Sequence, residues 1–271
     1  MWKNYKMLNS EKIGILGANG FVGSNICKEL PKIRKYTRAN MNTLLHQDLD
    51  LLIISAVSAE KWRANSEPER DLIQIQFLLN FLSQLKVKSV LLISTIDVYG
   101  PNFEFDEDTE RSKYPFYDSY GSNRHYFELK ICEKFADTKI LRLPGLFGPG
   151  LKKNLIYDLL NNLPLNFKST KDSYQYLYTP EIPNLMREMI EMDLKLFHAA
   201  TEPVSVSEIL NISSDILGNG AGLINNLEQE VSIQYNMKTK YRKSKYLFNH
   251  SEVLEEMRKW FLHEKYKLLD K

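Results

Sequence analysis

The stretch that most narrows the choice of fold is KIGILGANGFVGSNICKEL, residues 12–30. A short apolar strand at 13–16 runs into a glycine turn and then into a helix that Pro31 ends. Gly17, Gly20 and Gly23 stand as GxxGxxG between the two. The first glycine permits the tight turn, the second lets backbone approach a pyrophosphate, and the third lets the helix pack close to the sheet, with phosphates at the helix N-terminus. Glycines alone serve any tight strand-to-helix turn. It is the strand-turn-helix setting that makes this a dinucleotide site, with Asn19, Phe21 and Val22 beside the three glycines as further contacts.

The rest of the chain repeats the pattern. IRKYT (33–37), LDLLIISAV (49–57), SVLLISTIDVYG (89–100), KILRLPGLFGPG (139–150) and LKLFHAAT (194–201) read as strands. ERDLIQIQFLLNFLSQLK (69–86) has apolar positions at helical spacing. Strands alternating with helices specify an α/β fold, a doubly wound, Rossmann-like parallel sheet with helices on both faces. Residues 1–150 form the dinucleotide-binding part, completed by a strand and helix within 174–200. Residues 151–271 read mainly as a small, irregular, interleaved C-terminal substrate lobe, including VSIQY (231–235).

The residue after the second strand reads the adenosine ribose: an acid there suits NAD, a cation the 2′-phosphate of NADP. Arg38 stands about twenty residues past the glycines, with no acid before Asp48, so NADP is favoured and NAD is the alternative. Ser55 and Ala56, closing the third strand, complete the set of cofactor contacts. Cys27 and Cys132 lie in apolar helical stretches without metal-ligand spacing and read as buried, reduced thiols, and the five histidines form no pair at such spacing. No metal is expected. The net charge of +2 is too small to argue for nucleic acid or membrane, and residues 1–10 lack the apolar core of a secretion signal, which points to the cytoplasm.

YGSNRHYFELK, residues 120–130, holds two tyrosine–cation pairs, Tyr120 with Arg124 and Tyr126 with Lys130. At roughly 100° per residue, six steps turn the two rings to opposite sides of a helix, so at most one pair does chemistry. The chain here resembles the NAD-dependent epimerase/dehydratase family of the extended short-chain dehydrogenase/reductase group. That family shows GxxGxxG, S[ST]xxVYG, YGxSKxxxE, RxxxxxGPG and a stretch like GEPVSVxEL. This sequence has Gly17, Gly20 and Gly23, then Ser94, Thr95, Val98, Tyr99 and Gly100, then Tyr120, Gly121 and Glu128, then Arg142 with Gly148, Pro149 and Gly150, then TEPVSVSEI at 201–209. The order is kept over nearly the whole length, and Glu128 and Gly121 select Tyr120 over Tyr126.

The resemblance implies that Tyr120 exchanges the proton of a sugar hydroxyl or ketone while hydride passes to or from a nicotinamide, with Thr95 on the same oxygen. Arg124 stands where the family has lysine. It can supply a cation to Tyr120 and grip ribose hydroxyls, but a guanidinium cannot release a proton. Substrate contacts are expected from Trp62, Thr95, Gly145, Lys152, Lys153 and Arg242. Gly145 replaces an asparagine of the family, and SYQYLYTPE (173–181) departs from its RDxxYVxD. The basic, aromatic KTKYRKSKY (238–246) reads as a solvated loop or a diphosphate contact rather than an RNA surface, and EFDEDTE (104–110) as a solvated rim. Residues 41–50 are too few for the strand and helix that relatives insert, so one edge strand of the sheet is expected to be missing. The implied function is reduction of a keto sugar nucleotide, with an NAD-dependent epimerase and a non-catalytic dinucleotide-binding protein as alternatives. A homodimer is implied through two helices, one of them carrying Tyr120.

Overall fold

The computed structural model describes residues 10–165, 169–219 and 233–269. In chain order β1 (Ile13–Leu16) leads through the glycine turn into α1 (Phe21–Glu29), followed by β2 (Arg34–Tyr36), β3 (Leu49–Ile54), α2 (Lys61–Ser66), α3 (Pro68–Leu82) and β4 (Val87–Thr95). Then come β5 (Glu104–Phe105), α4 (Ser119–Lys134), β6 (Thr138–Leu143), β7 (Gly145–Phe147), α5 (Leu155–Leu160), β8 (Ser173–Tyr174) and β9 (Tyr176–Tyr178). The remainder is α6 (Ile182–Glu191), β10 (Leu196–His198), β11 (Val204–Ser205), α7 (Val206–Leu217), β12 (Asn236–Met237) and α8 (His250–Leu269).

Two compact units emerge. Of the described residues, the first comprises 10–100, 111–143 and 180–197, the second 101–110, 144–165, 169–179, 198–219 and 233–269. The first unit is built on a six-stranded sheet in the order β10-β6-β4-β3-β1-β2. The pairs β1–β2, β1–β3, β3–β4 and β4–β6 are parallel. Continuous apolar runs such as Leu51–Ile54 are buried because helices cover both faces of such a sheet. Strand order reverses at β1, and the crevice at the carboxyl ends beside such a reversal is where α/β sheets bind ligands.

As the short interval 41–50 predicts, β2 is the outer strand among the described residues, and a 3-10 helix at Met41–His46 leads straight to β3. Its Met41 and Leu44 join the core under the sheet edge. α3 leaves Ile73 and Phe77 exposed, and α4 leaves Leu129 exposed. Cys27 is buried, whereas Cys132 is exposed. That corrects the reading of both thiols as buried: Ile131 takes the core-facing position of α4, and the next residue lies about 100° round the helix.

The second unit has its own core of Phe147, Ile156, Leu159, Tyr176, Ile209, Met257, Trp260 and Phe261. Short pairs β7–β9, β8–β11 and β5–β12 frame it. A capping box of Ser205 and Glu208 starts α7, the helix that TEPVSVSEI introduces. The acidic 104–110 segment is exposed at Glu104, Asp108 and Glu110, as a solvated rim is, and its carboxylates also hold the chain's own basic segment. Lys238 pairs with Glu104 at 2.6 Å, Lys240 with Asp108 at 2.5 Å, and Glu107 accepts from the amides of His198 and Lys240 and from Thr239 Oγ1. Two of the basic groups of KTKYRKSKY are thereby committed. Of VSIQY, residues 231 and 232 lie outside the described residues.

Candidate active site

The glycine turn has the shape its sequence demands. Gly17 has φ of +96°, and a Cβ there would stand 2.1 Å from Ser55 O. A Cβ on Gly23 would stand 2.1 Å from Gly17 O, so the third glycine lets α1 sit against the turn. The Gly17 amide donates to Tyr36 O at 2.9 Å, which ties the turn to the end of β2 and places Arg38 two residues past that strand, exposed. The N-cap residue of α1, Gly20, brings no side-chain cap, and Asn19 and Gly20 are exposed while Phe21 and Val22 are half-buried. Backbone that only glycine can adopt, followed by a helix start open at its amides, fits the diphosphate of a dinucleotide. The Gly23→Ala protein is therefore expected to bind NAD at least about tenfold more weakly, by calorimetry, because its methyl group opens the turn.

Thr95 closes β4 as the N-cap of a 3-10 turn at Ile96–Val98. Its Oγ1 donates to Asp97 Oδ2 at 3.0 Å and accepts from the Asp97 amide at 3.1 Å. Helix α4 comes onto this turn because residue 121 is glycine: a Cβ there would lie 2.3 Å from Asp97 O. Asp118 caps α4 by accepting from the Gly121 amide at 2.8 Å. The Tyr120 amide donates to Asn65 Oδ1 at 2.9 Å, so α2 is fastened to the same helix start.

Tyr120 is buried, and the guanidinium carbon of Arg124 lies 4.4 Å from its ring centroid. Burial pushes the phenol up to about 12; Arg124 and Lys61 pull against that and Asp97 adds to it. Arg124 is itself buried and clamped. Its Nη1 donates to Asp71 Oδ2 at 2.8 Å, its Nη2 to Asp71 Oδ1 at 2.9 Å and to Ser58 O at 2.6 Å. Burial would raise the Asp71 carboxyl, but hydrogen bonds from Arg124 and Asn123 outweigh it and hold it below the usual range. Both terminal nitrogens of the guanidinium thus have protein partners, and its charge is matched by a carboxylate in bidentate contact. What the arginine gives Tyr120 is a cationic face stacked on the ring.

Tyr126 points elsewhere. It packs against the core cluster between α3 and α4, beside Leu79, Leu82 and Ile131 in a shallow groove of about 250 Å³. Lys130 Nζ lies 5.9 Å from its ring centroid and pairs with Glu133 at 2.6 Å. Behind Tyr120, four of the family-motif residues form one buried network. Arg142 Nε and Nη2 donate to Glu128 at 2.9 and 2.6 Å, Arg142 Nη1 to the Tyr99 hydroxyl at 2.7 Å, and Ser94 Oγ to Glu128 at 2.6 Å. These residues join the carboxyl ends of β4 and β6 to α4.

Of the other expected contacts, Ser55 and Ala56 follow β3 directly, with the Ser55 amide on Leu16 O. Trp62 lies in α2 rather than in a loop and is 67% exposed. Gly145, Lys152, Lys153 and Arg242 belong to the second unit. Gly145 pairs with Tyr176 across β7–β9, both lysines are exposed just ahead of Asn154, the N-cap of α5, and Arg242 is half-buried with Nη1 on Tyr241 O.

Lys61, Asp71, Asp97 and Asp118 are charged residues of this site that sequence motifs do not single out. Asp71 carries a signal of another kind: with Ile75, Leu78 and Leu82 it occupies the buried stripe of α3, and an acid in an apolar stripe implies a buried partner. Asp97 lies inside STIDVYG at a position that the motif leaves open.

The sequence model of the NAD dependent epimerase/dehydratase family matches residues 32–178. The chain belongs to this family. No curated protein sequence matches it. Among solved structures, MoeE5 in complex with UDP-glucose and NAD superposes with a TM-score of 0.74 at 16% identity, covering 95% of this chain and 99% of that one. The UDP-glucuronic acid 4-epimerase from Bacillus cereus, in complex with UDP-glucuronic acid and NAD, gives 0.71 at 16% identity, with 94% and 99% covered. The dTDP-4-dehydrorhamnose reductase from Yersinia enterocolitica gives 0.69 at 13%, with 93% and 98% covered. At these identities the likeness establishes the fold.

Proposed function

We propose that the protein is an oxidoreductase that moves hydride between a nicotinamide dinucleotide and a carbon of a sugar nucleotide, most simply in the reduction of a keto sugar. The observation that supports this reading is Tyr120, a buried phenol pushed up by that burial, with the Arg124 guanidinium carbon 4.4 Å from its ring centroid. Such a phenol is protonated at neutral pH. It is a proton donor, which is what a ketone oxygen needs as hydride arrives at its carbon. When bound, the cofactor supplies that hydride. Tyr120 gives the carbonyl oxygen its proton, and the Arg124 guanidinium over the ring favours the negative charge left on the phenolate until solvent returns a proton. Trp62 offers an exposed aromatic face for a sugar or base.

The NADP preference inferred from Arg38 is corrected in this reading. It rested on one exposed side chain, whereas the family description and the MoeE5 and B. cereus complexes all carry NAD. NAD is the cofactor proposed. This weakens the case for net reduction, and the 4-epimerase among the similar folds supports a second reading, in which hydride is taken from and returned to the same sugar.

One assay separates them. UDP- and dTDP-linked sugars and 4-keto sugars are incubated with the protein and NADH or NAD. Stoichiometric loss of NADH absorbance is expected for the reductase, interconversion of two sugars with no net cofactor change for the epimerase. Neither outcome, with NAD still bound, would leave a binding protein. Arg38→Ala is expected to change the ratio of NAD to NADP affinity by less than about threefold, because an exposed arginine without a 2′-phosphate to hold contributes little.

A further inference from the structure

We propose that Lys61 is a positioning residue of the reaction site: by holding the Asp97 carboxylate in place it fixes the Thr95 hydroxyl as an acceptor toward the sugar. The proposal rests on the oxidoreductase reading. The helix of Tyr120 offers no lysine at position 124, and its arginine is committed to Asp71 and Ser58. Lys61 reaches the same place from α2. Its Nζ lies 2.5 Å from Asp97 Oδ1 and 3.1 Å from Asp118 Oδ2. One turn on, Asn65 bridges the Tyr120 amide and Asp118 Oδ2, at 2.9 and 3.3 Å. Lys61 and Asn65, four residues apart on one face of the six-residue α2, thus grip the start of α4 and the turn after β4 together.

The consequence falls on Thr95. An ionised carboxylate only accepts, so the hydrogen bond from Thr95 Oγ1 to Asp97 Oδ2 takes the one proton the hydroxyl has. The Asp97 amide occupies one lone pair of that oxygen. One lone pair remains, and it can take a hydrogen bond from a sugar hydroxyl. Thr95 can give its proton to a ketone oxygen only if Asp97 lets go, so the proton for reduction comes from Tyr120, and Thr95 orients the keto sugar by accepting from one of its hydroxyls. Remove the ammonium and two carboxylates, Asp97 and Asp118, face the gap it leaves, with the Tyr117 ring 5.9 Å from where the charge stood and the Tyr120 phenol close enough to feel it. Their repulsion turns Asp97 from its place and frees Thr95.

The test compares Lys61→Met with Lys61→Arg. In the sugar-nucleotide assay Lys61→Met is expected to lower kcat about 30-fold or more with KM within about threefold, and Lys61→Arg to recover kcat to within about threefold, since the charge restores the hold on Asp97. A crystal structure of Lys61→Met is expected to show the hydrogen bond between the Thr95 and Asp97 side chains broken. Unchanged kcat in Lys61→Met overturns the proposal, as does a fall in kcat with that hydrogen bond intact. If the unmodified protein turns over no sugar nucleotide, the function reading falls by itself and the crystal structure alone decides: a broken Thr95–Asp97 hydrogen bond supports the role of Lys61, and an intact one overturns it.

Discussion

Tyr120→Phe is expected to slow turnover of the keto sugar nucleotide by about 10²–10⁴-fold while NAD binding stays within about threefold, because only the transferable proton is removed. The ring, its burial and the guanidinium stacked on it remain, so the fold has no reason to change. Tyr126→Phe is expected to leave turnover within about twofold, since that ring sits among Leu79, Leu82 and Ile131 on the other side of α4. Because burial pushes the Tyr120 phenol up to about 12, turnover is expected to show no fall between pH 6 and 9 that Tyr120→Phe abolishes. Steady-state rates for the three proteins, with binding measured by calorimetry, check this. A Tyr120→Phe protein with near-normal kcat would remove Tyr120 from the chemistry, and inactive Tyr126→Phe beside active Tyr120→Phe would reverse the choice between them.

The site is legible in the sequence where chemistry depends on local pattern, and hidden where it depends on a partner far along the chain. Gly17 and Gly23 announce the turn because only glycine fits against Ser55 O and Gly17 O. The sheet follows from the apolar runs, and the absence of a described strand outside β2 from the brevity of 41–50. Arg124 reads correctly as a cation beside Tyr120, but its neutralising partner Asp71 is 53 residues away, and no spacing rule connects them. Lys61 reaches Asp97 over 36 residues in the same manner. Charge runs say too little for the same reason: the acidic 104–110 segment reads as a solvated rim and the basic 238–246 segment as a solvated loop or diphosphate contact, and it takes the fold to pair them. Cys132 reads as buried because its neighbours are apolar, although a helix position decides exposure by angle and not by company.

Glu128→Gln tests which motif residues serve the fold and which the chemistry. Burial alone would raise the Glu128 carboxyl; the Arg142 charge and hydrogen bonds from His125, Arg142 and Ser94 outweigh it and hold the group at about 2. The amide of glutamine keeps the shape but leaves Arg142 buried without its counter-charge, which is expected to cost about 3–5 kcal/mol and to lower Tm by roughly 6–12 °C. A folded-state value below the unfolded one means that the unfolded chain binds the extra proton. The stabilisation is therefore present above about pH 4.5 and is lost as the pH falls toward about 2, so the Tm difference between the two proteins should shrink over that interval and stay constant from pH 5 to 8. Arg142→Met in the same chain should return part of the loss, because an apolar pair removes the uncompensated charge. Calorimetric melting across pH measures all three. A Tm unchanged by Glu128→Gln at pH 7 would mean that Arg142 finds another partner, and that the glutamate eight residues after Tyr120 is held for the reaction instead.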